Sequence, residues 1–126
     1  MKSGNYGIYH ENEYEIIGDM DGNTLLLTEN KGIIDDSFED TYNSGVYTKK
    51  IEKSELSEYY SIELMAKYKE FEFYLRPNEK NGNYVIGTSL ADIAEEYGFL
   101  RTDKYFYEKE VPKSEVEVRK IRKQLQ

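Results

Sequence analysis

His10 is the only imidazole of the chain, and cysteine is absent. A general base needs a positioned partner, which Glu11 or Glu13 would supply to His10. Strand alternation, however, puts His10 on the same face as Ile8 and Tyr6, so it reads as a structural or surface histidine at a strand end. Without thiols, disulfides, thiolate zinc sites and cysteine nucleophiles are out. Asp19-Met20-Asp21-Gly22-Asn23 opens like a calcium loop, with acids at alternate positions. Such a loop needs Gly at its sixth position and Glu at its twelfth, where this chain has Thr24 and Asn30. A hairpin turn accounts for the same residues. Paired carboxylates are uninformative in a chain with 25 acidic residues, since any glycosidase-like pair would be one of many. The serines lack a nucleophile-elbow context, and the glycines are scattered rather than gathered before a helix into a phosphate cradle. Asn43 is followed by Ser44-Gly45, which is not a glycosylation acceptor. No catalytic residue, no metal ligand and no cofactor is expected.

The segment Glu29 to Asn43 stands apart. Asp35, Asp36, Glu39 and Asp40 surround Ile33, Ile34 and Phe38, and Tyr42 follows. One reading is a solvated loop or short helix whose apolar residues cover the core. The sharper reading is a protein-binding surface made of Asp35, Asp36, Glu39, Asp40, Tyr42 and Tyr47. Tyrosine supplies contact area and a hydroxyl at low entropic cost, and carboxylates steer a basic partner.

The elements that would position these residues are mainly strands. Tyr60, Ile62, Leu64, Ala66 and Tyr68 alternate with Ser61, Glu63, Met65 and Lys67, a strand with one buried face. After Lys69-Glu70, Phe71, Phe73 and Leu75 continue the pattern to Pro77, and Tyr84 to Gly87 forms a third strand beyond the Asn81-Gly82 turn. Tyr6 to His10, Tyr14 to Ile17 and Leu25 to Leu27 read as strands, the last two joined at Asp21-Gly22. Val46 to Ile51 is a further strand, and Glu52 to Glu58 is a turn or short helix. A helix is expected over about 89–98, with Ser89 as N-cap, Gly98 as C-terminal glycine and Leu90, Ile93, Ala94 and Tyr97 as its stripe. A strand from Lys104 to Val111 ends at Pro112. Ser114 and Glu117 then form a capping box, and Val118, Ile121 and Leu125 line a C-terminal helix over about 114–124. Its Arg119, Lys120, Arg122 and Lys123 would complement the helix dipole.

No internal repeat, low-complexity tract or linker is evident. The expected architecture is a single α+β domain over residues 1–126, a meander-rich antiparallel sheet carrying two helices. The chain's 13 Tyr and 5 Phe provide the bulk of its core. The formal net charge is −8, and it reaches −12 over residues 1–118, which hold all 25 acids and 13 of the 17 Lys plus Arg. Direct nucleic-acid binding and anionic membranes are disfavoured by that sign. No apolar run approaches a membrane span, and the first residues show no secretion signal, so a cytoplasmic protein is expected.

This profile resembles the immunity proteins of bacterial polymorphic-toxin and contact-dependent inhibition systems: small, acidic, cysteine-free, tyrosine-rich domains lacking a catalytic signature. The resemblance implies a non-enzymatic protein, a monomer or weak dimer, that binds a cognate toxin with a basic surface and occludes its active site, often that of a nuclease. Three alternatives stay open: a nucleic-acid-mimicking inhibitor from a phage or mobile element, a small-molecule-binding module or small enzyme, and a structural protein using an exposed strand edge.

Overall fold

The computed structural model describes residues 2–126. Among them are ten strands, one α-helix and three single-turn 3-10 segments. The backbone contacts divide into two compact units. The N-terminal unit is Gly4–Ile62 with Arg122–Gln126, and the C-terminal unit is Glu63–Ile121 with the first residues of the chain.

The N-terminal unit contains β1 (Gly4–Tyr9), β2 (Asn12–Gly18), β3 (Thr24–Thr28), β4 (Tyr47–Ile51) and the first half of β5 (Glu58–Tyr68), in the order β4-β3-β2-β1-β5. Every pairing there is antiparallel. His10 (φ 47°) and Glu11 (φ 70°) turn β1 into β2, with Tyr9 opposite Asn12. Two successive positive φ values match the right-handed twist of a two-residue hairpin. His10 is therefore an exposed turn residue directly after the end of β1, stacked on Tyr9 at 3.9 Å. The β2–β3 turn is organised by Asp19, whose carboxylate accepts the backbone N–H groups of Asp21 and Asn23 and the Asn23 amide. That use of Asp19 explains its acidity pattern without calcium. Registers such as Gly7↔Tyr14 and Ile16↔Leu26 put Tyr9, Tyr14, Ile16, Leu26, Ile51 and Leu56 into one core. A 3-10 turn at Lys53–Glu55 reverses the chain into β5, its Glu55 carboxylate accepting the Glu52 N–H at 2.7 Å. On the opposite face Tyr6 stacks on Tyr60, whose hydroxyl donates to Glu13. Burial, then that hydrogen bond, pushes the Tyr60 phenol up to about 12.

The C-terminal unit continues β5 into β6 (Phe71–Leu75), β7 (Tyr84–Thr88), β8 (Leu100–Asp103) and β9 (Phe106–Val111), in the order β5-β6-β7-β9-β8. Its core is Ala66, Tyr68, Phe73, Ile86, Ala94, Phe99 and Val111. The expected apolar face of β5 is the observed one, with Tyr60, Ile62, Ala66 and Tyr68 all buried. The helix is α1 (Ala91–Tyr97), closed by Gly98 in the left-handed region at φ 76°. It starts at Ala91, two residues after Ser89; the N-cap is Leu90 and not the expected Ser89, and the Leu90 N–H donates to the Thr88 hydroxyl.

Two expectations are overturned. The fold is mostly antiparallel sheet with one short helix, not a balanced α+β domain, and the C-terminal helix over 114–124 does not exist. Lys113–Glu115 is a 3-10 turn, and Val116 leaves it at φ −123°, ψ 134° to start strand β10 (Val116–Gln124), which pairs with β5. Val116, Val118 and Ile121 are β-branched and lose side-chain freedom in a helix. Two of the four cations that suggested a helix end, Arg119 and Arg122, pair instead with acids on other strands. Arg119 binds Glu72 at 3.1 Å, and Arg122 binds Glu58 at 2.8 Å while lying 3.8 Å from the Tyr60 ring centroid. These long-range partners are invisible to a reading of local capping signals.

Candidate functional site

The acidic segment lies between β3 and β4 of the N-terminal unit and is anchored at several points. A 3-10 turn at Lys31–Ile33 is capped by the Asn30 side chain, which accepts the Gly32 N–H at 2.8 Å. The Ile33 carbonyl accepts the buried Tyr14 hydroxyl. Phe38 stacks on Tyr14 at 5.6 Å, so it is a cover for the core and not a free anchor. Glu39 exchanges two backbone hydrogen bonds of 2.9 Å with Thr48. The loop is thereby tied to β2 and β4, which lowers the ordering cost of any contact it makes.

The six expected contact residues fall into three groups. Asp35 and Asp40 serve the loop's own backbone. Asp35 accepts the Ser37 N–H and hydroxyl, and Asp40 accepts the N–H groups of Ser44 and Gly45, both at 2.9 Å. These hydrogen bonds hold both carboxyls below the usual aspartate range, from Ser37 at Asp35 and from Ser44 and Gly45 at Asp40. Asp36 and Glu39 are exposed, and no side-chain hydrogen bond or ion pair engages either among the described residues. Tyr42 is 87% exposed, whereas Tyr47 is half-buried in β4 opposite Thr28. The segment brings five of the six onto one tethered loop and leaves Tyr47 in the sheet.

A pH dependence follows from Asp35 and Asp40. Their folded-state pKa is depressed, so their stabilisation is present above the unfolded value of about 3.9 and is lost as pH falls through the folded value. Hydrogen-exchange protection at Ser37, Ser44 and Gly45 is expected to drop below pH about 3.9 while core amides keep theirs. Unaltered protection at those three amides would show that the carboxylates do not hold the loop.

The charge is divided unevenly. The N-terminal unit holds 13 acidic and 6 basic residues, net −7, and the C-terminal unit 12 and 11, net −1. A count by halves would have exposed this from sequence; a count over the whole chain hides it. Lys49 is the half-buried exception inside the acidic unit. Its ammonium donates to the Tyr9 hydroxyl at 2.9 Å and lies 5.0 Å from the Tyr9 ring centroid. That hydrogen bond, with Asp35 adding to it, raises its pKa.

A recess of about 570 Å³ on the C-terminal unit is lined by Arg76, Val85, Leu100, Glu108 and Glu110 among others. Several of its polar groups are engaged: Arg76 pairs with Glu108 at 2.9 Å, and Glu110 accepts the Asn83 amide at 2.8 Å. Neither His10 nor any tyrosine lines it.

A family model matches residues 1–126. The chain belongs to the family described as uncharacterised conserved protein UCP033725. No curated protein and no solved structure matches it. No helix of the described residues is long and apolar enough to cross a membrane.

Proposed function

We propose that this member of UCP033725 acts by binding, as an immunity-type protein that engages a basic protein partner, a cognate bacterial toxin, through the acidic segment of its N-terminal unit. The observation that carries the reading is the charge division, net −7 against −1, with Asp36, Glu39 and Tyr42 exposed on a loop whose shape Asp35 and Asp40 already fix. Fixed negative charge raises the encounter rate with a cationic surface, and an exposed tyrosine supplies the anchor. Occlusion of the partner's active site requires no turnover by this chain, which is proposed to be non-enzymatic and to work in the cytoplasm.

The test pairs capture with kinetics. Immobilised chain is expected to retain a basic protein from a lysate of the native host, and the chain carrying both Asp36→Lys and Glu39→Lys is not. With that protein purified, the double variant should associate at least roughly tenfold more slowly, and its rate should lose most of its salt dependence. Equal rates and equal salt slopes for the two chains would move the contact elsewhere.

A further inference from the structure

We infer that the chain carries one five-strand module twice, and that the segment between the module's third and fourth strands is its portable recognition element. The second half of this inference rests on the reading proposed above; the first does not.

The argument starts from strand register. In the N-terminal unit Gly7 faces Tyr14 and Tyr9 faces Asn12; in the C-terminal unit Ala66 faces Phe73 and Tyr68 faces Phe71. Ile16↔Leu26 is matched by Leu75↔Ile86, Leu26↔Lys49 by Ile86↔Lys109, and Thr24↔Ile51 by Tyr84↔Val111. The offset is 59 residues through the second strand and 60 beyond it, the single step falling in the turn between the second and third strands. A meander topology alone does not demand this, because a slip of one residue in any strand would turn its side chains to the other face.

Side chains and turns follow the same two offsets. Tyr9, Tyr14, Leu26 and Ile51 of one core correspond to Tyr68, Phe73, Ile86 and Val111 of the other. Gly22 and Gly82 both take positive φ, 82° and 77°, and each precedes an asparagine. Lys49 lies 5.0 Å from the Tyr9 ring centroid, and Lys109 lies 5.3 Å from that of Tyr68. Lys53-Ser54-Glu55 and Lys113-Ser114-Glu115 are both 3-10 turns, followed by Leu56 and Val116 respectively. In each copy the strand after that turn returns to the first: β5 pairs with β1, and β10 pairs with β5. β5 is 11 residues long because it is the fifth strand of one copy and the first of the next.

The copies diverge at one place. Residues 29–46 and 89–106 are inserts of equal length, both flanked by a cross-strand Thr–Tyr pair, Thr28↔Tyr47 and Thr88↔Tyr107. Each insert lays a phenylalanine on the core ring of the second strand, Phe38 on Tyr14 at 5.6 Å and Phe99 on Phe73 at 4.7 Å. Beyond that they differ entirely: one is the acidic loop, the other α1 and β8. A shared scaffold with one dissimilar insert places specificity in the insert.

The test keeps the full chain and replaces residues 89–106 with a second copy of residues 29–46; the reciprocal graft is made alongside. The binding probe is an oligo-lysine peptide, followed by backbone amide shifts. At least one graft is expected to unfold in a single cooperative transition and to keep the Ile86↔Lys109 or Leu26↔Lys49 register in cross-strand NOEs. In the first graft the peptide should then shift amides of both acidic segments. Loss of cooperative unfolding in both grafts overturns the duplication. A folded graft whose transplanted segment ignores the peptide, while the original responds, overturns portability and leaves the proposed function standing. No response from the acidic segment of the native chain overturns the proposed function while the folding result still supports the duplication.

Discussion

Phe73→Ala is expected to lower the stability of the chain by roughly 3–5 kcal/mol, the range for removing a fully buried aromatic ring. Phe73 is 1% exposed, and its ring meets those of Phe99 at 4.7 Å, Phe71 at 5.2 Å, Tyr97 at 5.8 Å and Tyr68 at 6.3 Å. Four rings from β5, β6, α1 and the residue after Gly98 therefore converge on one side chain. Truncation leaves a cavity that none of them can fill by a simple rotation, since each is held by its own element. Denaturant unfolding of the purified variant measures the loss. Phe71→Ala, at a half-buried site in the same cluster, serves as the comparison and should cost less. A loss below about 1 kcal/mol at Phe73 would mean that this cluster is not the core of its unit.

The second large effect concerns a residue with no side chain. Gly87 lies in extended backbone, where alanine would ordinarily stabilise by roughly 0.4–1 kcal/mol through the unfolded state. Here the opposite sign is expected. A Cβ at Gly87 would come within 2.5 Å of the Phe106 ring. That ring has little freedom, with Tyr74 at 6.3 Å and the Arg76 guanidinium 5.0 Å from its centroid, itself tied to Glu108 at 2.9 Å. Overpacking of this kind costs roughly 1–3 kcal/mol. Adding Phe106→Ala removes the clash, so the double variant should lose less than the sum of the two single losses, by roughly 0.5–3 kcal/mol in a thermodynamic cycle. Additive losses, or a stabilised Gly87→Ala chain, would show that the ring yields freely.

Both effects concern the scaffold, and the proposed contact depends on it indirectly. The acidic loop is carried by Tyr14, through its stacking on Phe38 and its bond to the Ile33 carbonyl. Tyr14 is the counterpart of Phe73 in the other unit. Its hydroxyl is what Phe73 lacks, and the difference fits an insert that needs a polar tether in one copy and a second aromatic ring in the other.

Much of this was legible in the residues themselves. Period-two alternation gave the faces of β5 and β6, Asp21-Gly22 and Asn81-Gly82 gave two hairpin turns, and a three- and four-residue stripe closed by glycine gave α1. Such signals are local: each rests on neighbours two to four positions away. The lack of thiols likewise excluded whole chemistries from composition alone. Tertiary structure decided the rest. Ser114 and Glu117 carry a valid local helix-start pattern, and it loses because Val116–Gln124 finds β5, with Glu72 and Glu58 as partners for its arginines. The repeat, which the reading of the residues missed, shows in sequence only as short identities 60 positions apart, Gly22-Asn23 with Gly82-Asn83 and Lys53-Ser54-Glu55 with Lys113-Ser114-Glu115, between dissimilar inserts; the shared registers and faces tie these fragments into one module. The use of Asp35 and Asp40 as loop supports, leaving Asp36 and Glu39 facing solvent, was likewise set by which backbone N–H groups the folded loop brings to each carboxylate.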